Sequence, residues 1–146
     1  MSQDQQKNWM MVVEDQVDAW RLLKGALRRT LPHVLTVDAG NGPTALSYLQ
    51  GCLVERRPLP RMILMDLYMP TLEDGLQLLH TLKEPTSAYH HLPVVVMSSS
   101  TDPRDRQQIT QRGSSFLTKP ISYADWDSFL ASIDRYWAES LTIPPV

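Results

Sequence analysis

Five times along this 146-residue chain a short strand-like segment, apolar throughout in three of the five, gives way to one with helical spacing. The runs are Met10-Met11-Val12-Val13, Val34 to Ala39, Met62-Ile63-Leu64-Met65, Val94-Val95-Val96-Met97 and Ser114 to Thr118. Four apolar residues in a row are too few for a helix, and without polar alternation they read as strands buried on both faces of a parallel sheet. The alternation, with no repeat and no low-complexity linker, predicts one α/β domain: a doubly wound, five-stranded parallel sheet with helices on both faces. In the strand order 2-1-3-4-5 the first and third strands lie side by side at the switch point.

The strand ends carry the chemistry. The first run leads into Glu14-Asp15, the third ends on Asp66, the fourth meets Ser98-Ser99-Ser100 and the fifth reaches Lys119-Pro120. A charge beside an apolar strand must be satisfied, and open α/β sheets bind ligands outside the carboxyl ends of their strands. Asp66 alone reads equally well as a helix cap or turn residue. Four strands that deliver an acidic pair, an acid, a hydroxyl and an ammonium to one sheet edge read as a site.

Between the runs, Val17, Trp20, Leu23, Leu27 and Leu31 mark an amphipathic helix stopped by Pro32. The spacing predicts a second helix with Ala45, Leu46 and Leu49 inward, ending near Gly51, and a third from Gly75 to Lys83. Asp102-Pro103 opens a fourth that runs through Gln111 and stops at Gly113. Ser122 with Asp125 forms a capping box before a helix whose stripe is Trp126, Phe129, Leu130, Ile133 and Trp137. Tyr136 falls outside that stripe and is expected at the surface.

Fourteen basic against 16 acidic residues, with no basic cluster, give no footprint for direct nucleic-acid binding. Cys52 is the single cysteine, so no intrachain disulfide forms. No apolar stretch is long enough for a signal peptide or a membrane span, which predicts a cytoplasmic protein without membrane contact. His90-His91 lacks a spaced His or Cys partner and reads as a solvated loop pair rather than a metal site.

Three carboxylates at one edge repel, on the order of 4 kcal/mol for two charges about 4 Å apart at an effective dielectric of 20. Oxygen ligands without Cys or His select a hard cation, and Mg2+ suits a small site that also meets phosphate oxygens. With Mg2+ and Lys119 shielding the approach, Asp66 reads as a carboxylate nucleophile that accepts a phosphoryl group.

On Val-Val-Glu14-Asp15, Asp66-Leu-Tyr-Met-Pro70, Ser98 and Lys119-Pro120, the chain resembles the receiver domain of bacterial two-component response regulators. The resemblance covers 9–137, leaving a polar N-terminal tail at 1–8 and a C-terminal tail at 138–146 with no effector domain. It implies that Asp66 takes phosphate from a sensor histidine kinase or phosphotransfer protein, the chain catalysing only its own phosphorylation and dephosphorylation. It further implies that Asp15, Asp66 and the Tyr68 backbone carbonyl hold Mg2+ with help from Glu14. Lys119 would hold a phosphoryl oxygen, Ser98 would swing toward the phosphate, and Phe116 would turn inward as an aromatic switch. Output would be protein contact, with homodimerisation through the fourth helix, fifth strand and fifth helix, or through the C-terminal tail. The ending from Tyr136 to Pro144 is similar to that of small receivers that work with phytochrome-type or other sensor kinases.

Three features depart from the family's pattern. Three residues separate Pro70 from Asp74-Gly75 where the family has two, which leaves the loop beside Asp66 open. Ser98 stands where threonine is commoner, and Phe116 lacks a phenol, so a switch there works by packing. Tyr68 is bulkier than residues often found two positions after the acceptor, and is expected to shield an acyl phosphate from water.

Rival readings remain. A haloacid-dehalogenase-type phosphatase needs a second Asp where Tyr68 stands. A flavodoxin shares the flavodoxin-like strand order, but Glu14-Asp15 would repel its phosphate. A phosphorylation-independent interaction module would result if the altered loop blocked the site.

Overall fold

The computed structural model describes residues 8–140. The remainder of the tails expected at 1–8 and 138–146 lies outside the described residues, and Ala138 to Ser140 continue the last helix.

The elements alternate as expected: β1 (Trp9–Val13), α1 (Val17–Thr30), β2 (Leu35–Ala39), α2 (Gly42–Val54), β3 (Met62–Asp66), α3 (Leu72–Lys83), β4 (Val94–Ser98), α4 (Pro103–Gln111), β5 (Ser115–Thr118) and α5 (Tyr123–Ser140). All strands are parallel, in the order β2-β1-β3-β4-β5. β1, β3 and β4 are buried at every position, which explains their unbroken apolar runs.

Alternate side chains of the sheet feed two cores. Met11, Val13, Ile63, Met65, Val94 and Val96 pack with α2, α3 and α4 on one face. Met10, Val12, Met62, Leu64, Val95 and Met97 pack with α1 and α5 on the other. Register places Val13 beside Met65 and Asp66 beside Met97, so the residues that leave these strands emerge together at one edge. No helix among the described residues is long and apolar enough to cross a membrane.

Four local expectations are corrected. Helix α2 runs through Gly51 to Val54, because Cys52 turns inward and is fully buried in the core. Helix α3 begins three residues before Gly75: Thr71 is its N-cap, accepting from the Asp74 amide at 3.2 Å and donating to the Asp74 carboxylate at 2.8 Å. That cap absorbs the extra loop residue, with Met69 buried and Leu72 packed against the core. Tyr136 is half-buried against the α1/α5 core rather than exposed, beneath the Arg135 guanidinium at 5.2 Å from its ring. The fifth strand starts one residue later than its run, at Ser115.

The expected caps form. Asp102 accepts from the Arg104 amide at 2.9 Å, and the Ser122 hydroxyl accepts from the Asp125 amide at 3.2 Å. Gly113, at φ +77°, closes α4 with a Schellman pair of bonds, its own amide to Thr110 and that of Ser114 to Ile109.

Candidate functional site

The carboxyl ends of β1, β3, β4 and β5 bring together Glu14, Asp15, Asp66, Ser98 and Lys119. Lys119 crosses the sheet edge so that its Nζ donates to Asp66 Oδ2 at 2.9 Å and to Glu14 Oε2 at 3.0 Å. Its own amide donates to the Ser98 carbonyl at 2.9 Å, which fixes where the side chain starts. The Glu14 and Asp66 side chains are 1% and 9% exposed, so the ammonium serves two carboxylates that water scarcely reaches.

Glu14, Asp15 and Asp66 each offer an oxygen within 4.8 Å of the others, and among the described residues they are the one group of three metal-ligating side chains. Asp15 Oδ1 is buried and accepts no hydrogen bond. A buried carboxylate oxygen without a donor is costly, and an acceptor pointed into an acidic cluster is what a cation ligand requires. Three carboxylates against one ammonium leave two negative charges, the charge of one Mg2+. The residues present therefore fit a small hard cation.

The electrostatics agree. Burial raises the Glu14 pKa above its ordinary 4.5, the hydrogen bond from Lys119 opposes that, and repulsion from Asp66 adds to it. Burial also opposes the charge on Lys119, but its hydrogen bonds to Asp66 and Glu14 outweigh burial and hold the ammonium above 10.5. The two directions are compatible: without a metal, the cluster relieves itself by favouring a proton on Glu14 while Lys119 stays charged.

The raised Glu14 pKa has a stability consequence whose sign is fixed by linkage. Its favourable contribution is complete below the unfolded pKa of 4.5 and is lost as pH rises through the folded value. Glu14→Gln is accordingly expected to raise the metal-free Tm at about pH 7 and to lose that advantage by about pH 4. Thermal unfolding in a chelator at the two pH values checks this.

Asp66 does not cap α3, since Thr71 takes that role. Its Oδ1 accepts from the Tyr68 amide at 3.2 Å, so the loop after β3 turns back over the carboxylate. Ser98 is fully buried and its Oγ accepts from the Ser100 amide at 3.0 Å. Phe116 lies half-buried against the α2–α4 core, with the Arg106 guanidinium 5.0 Å from its ring centroid. His90 and His91 sit apart from this site in the loop before β4, their rings 6.0 Å apart.

Two parts of the site escaped the sequence, the anchoring of Tyr68 and Ser100 on Asp105 and the close packing at Gly75. The Tyr68 hydroxyl donates to Asp105 Oδ2 at 3.0 Å. Ser100 donates to the same oxygen at 2.5 Å. The available signal for Asp105 was its place four residues before the buried Ile109, which puts it on the inward stripe of α4. The second part is Gly75, where a Cβ would lie 1.6 Å from the Leu67 carbonyl oxygen; α3 rests directly on the backbone next to Asp66.

A family model described as response regulator receiver domain matches residues 10–130. Among curated proteins, the chain is 36% identical over 98 residues to the probable methanogenesis regulatory protein FilR2 of Methanothrix harundinacea, covering 66% of this chain and 62% of that one. It is 29% identical over 138 residues to the response regulator Rcp1 of Synechocystis, covering 92% of both. Among solved structures, the Mn2+-bound form of Rcp1 superposes with a TM-score of 0.78 at 26% identity, over 94% of this chain and 99% of that one. The phosphorylated cyanobacterial phytochrome response regulator RcpA does so with 0.77 at 26% identity and the same coverage.

Proposed function

The chain belongs to the response regulator receiver domain family of two-component signalling, and from that premise we propose that Asp66 accepts a phosphoryl group from a histidine kinase or phosphotransfer protein in a Mg2+-assisted step. The observation that carries the proposal is the convergence on Asp66 of Lys119, 2.9 Å away, and of the Glu14 and Asp15 carboxylates, one oxygen of which is buried and unpartnered.

In the transfer, an Asp66 carboxylate oxygen bonds to phosphorus as the bond from phosphorus to the donor's imidazole nitrogen breaks. That nitrogen keeps the bonding pair and takes up a proton. Lys119 meets the charge that develops on the phosphoryl oxygens, exchanging its bond to the Asp66 carboxylate for one to the new group. The buried Ser98 hydroxyl is the neutral donor available on the β4 side, freed when it gives up the Ser100 amide. Glu14, Asp15 and Asp66, with the Tyr68 backbone carbonyl, would hold the cation. When bound it supplies charge neutralisation for the incoming phosphoryl oxygens. The manganese named for Rcp1 and the phosphorylation named for RcpA support this assignment.

A protein donor needs a surface beside the site. Leu22 and Ile121, 67% and 86% exposed, line a groove of about 300 Å3 together with Glu14 and Lys119 of the site. Apolar side chains left in water next to a reactive carboxylate supply such a contact. The protein acts only on its own phosphoryl group: at the position where a phosphatase needs a general acid, the Tyr68 hydroxyl is held above its ordinary pKa of 10.0 by its hydrogen bond to Asp105.

The test is to incubate the chain with acetyl phosphate and Mg2+ and weigh it intact beside Asp66→Ala. A gain of one phosphoryl mass by the native chain alone, removed by hydroxylamine, is expected. An equal gain by Asp66→Ala contradicts the reading. The cation has its own signature. At a concentration about tenfold above its Kd, Mg2+ is expected to add about 1.4 kcal/mol of stability, seen as a Tm rise of about 3–6 °C. Thermal unfolding should show that rise abolished in Asp15→Asn.

A further inference from the structure

Asp105 is 5% exposed, yet no cation pairs with it among the described residues. The adjacent Arg104 is engaged with Asp102 instead, at 3.0 Å. A buried carboxylate with no ion pair of its own is held by hydrogen bonds, and two hydroxyls supply them, from Tyr68 and Ser100. These bonds close a circuit around the mouth of the site. Asp66 accepts from the Tyr68 amide, Tyr68 donates to Asp105, Ser100 donates to Asp105 and to Ser98, and the Ser98 carbonyl accepts from the Lys119 amide. The Lys119 ammonium then returns to Asp66. Asp105 is the member of this circuit that belongs to α4, and it pins both hydroxyl side chains from outside the reacting centre.

We propose that Asp105 is a positioning residue that holds Tyr68 and Ser100 across the acceptor carboxylate, so that it sets the lifetime of the aspartyl phosphate. The inference rests on the phosphoacceptor reading of Asp66 and adds to it the group that controls loss of the phosphate. In that loss a water oxygen bonds to phosphorus as the bond from phosphorus to the Asp66 oxygen breaks. Asp66 leaves as the carboxylate, inorganic phosphate departs, and the proton from water goes to solvent. Water must reach phosphorus from the side opposite Asp66, and in this proposal the Tyr68 ring, whose own backbone amide is bonded to Asp66 Oδ1, stands in that path. Tyr68 is 38% exposed, and its hydroxyl bond to Asp105 is the anchor that keeps the ring from swinging into solvent.

The test measures how fast the phosphorylated chain decays after the donor is removed, in Mg2+ buffer at constant pH. Asp105→Ala is expected to shorten the half-life about fivefold, the factor carried by one hydrogen bond of ordinary net strength. Tyr68→Phe, which keeps the ring and loses only the hydroxyl, should shorten it similarly. The double variant should decay no faster than Asp105→Ala alone, because the bond that Tyr68→Phe removes is already lost with Asp105. Asp105→Asn retains an acceptor oxygen and should restore the native lifetime. A loss of folding cannot imitate this pattern, since Tyr68→Phe changes a partly exposed position and two independent structural defects would multiply in the double variant. Half-lives within about twofold of native for both single variants, or effects that multiply in the double variant, overturn the proposal. A native chain that takes up no phosphoryl group overturns the acceptor reading itself, a result separable from an unaltered lifetime.

Discussion

Lys119→Met is expected to slow phosphoryl uptake by Asp66 about 10²- to 10³-fold, the range seen when one preorganised electrostatic group is removed from a buried site. The ammonium stands 2.9 Å from Asp66 Oδ2, and methionine fills a similar volume without charge. Stopped-time labelling with acetyl phosphate at saturating Mg2+ measures the change. The same variant should unfold more easily in the absence of metal. Removing one partner of a fully buried pair costs 3–5 kcal/mol, and Lys119, with a quarter of its side chain in water, should give about 2 kcal/mol at pH 7. The sign with pH is determined. A raised lysine pKa contributes stability that is complete below the unfolded value and lost as pH rises through the folded one. Denaturant titrations of the native chain and the variant should therefore converge only above pH 10.5.

Gly75→Ala is expected to destabilise the fold by about 3 kcal/mol or more, at or beyond the upper end of the usual cost of overpacking. The added methyl would stand 1.6 Å from the Leu67 oxygen and 2.6 Å from its carbonyl carbon, both backbone atoms with no rotamer to yield. Helix α3 must back away from the loop that carries Asp66. Helix propensity works in the opposite direction, since alanine is better than glycine by about 1 kcal/mol inside a helix. Gly25→Ala isolates that contribution: its methyl would meet only the tip of Arg29 at 4.0 Å, and the variant should gain up to about 1 kcal/mol. Urea unfolding of the two variants side by side separates steric conflict from propensity. Two glycines of the same helical type should move stability in opposite directions.

The strands and their polar ends were legible because both signals are local. A short strand that stops on Asp66 or Lys119 can be read without knowing what lies beside it, and the strand order then places residues 53 positions apart at hydrogen-bond distance. What stayed hidden depends on contacts between segments. Gly51 looks like a helix stop, but the buried Cys52 beyond it carries α2 onward. The first turn of α3 holds Glu73 and Asp74, which mask its start from any apolar period, and only the Thr71 cap reveals it. Asp105 looks like one more charge on a polar helix, and its burial follows from Tyr68 reaching over from another loop. Gly75 carries no sequence mark of its collision with Leu67, a constraint set by the packing of α3 on the loop after β3.

Borohydride reduction of the labelled chain tests the central claim most directly, because it converts an aspartyl phosphate to homoserine at the residue that carried it. Peptide mass mapping is expected to find homoserine at position 66 alone, and only when Mg2+ was present during labelling. Homoserine at position 15, or label retained without any change at position 66, would contradict the account.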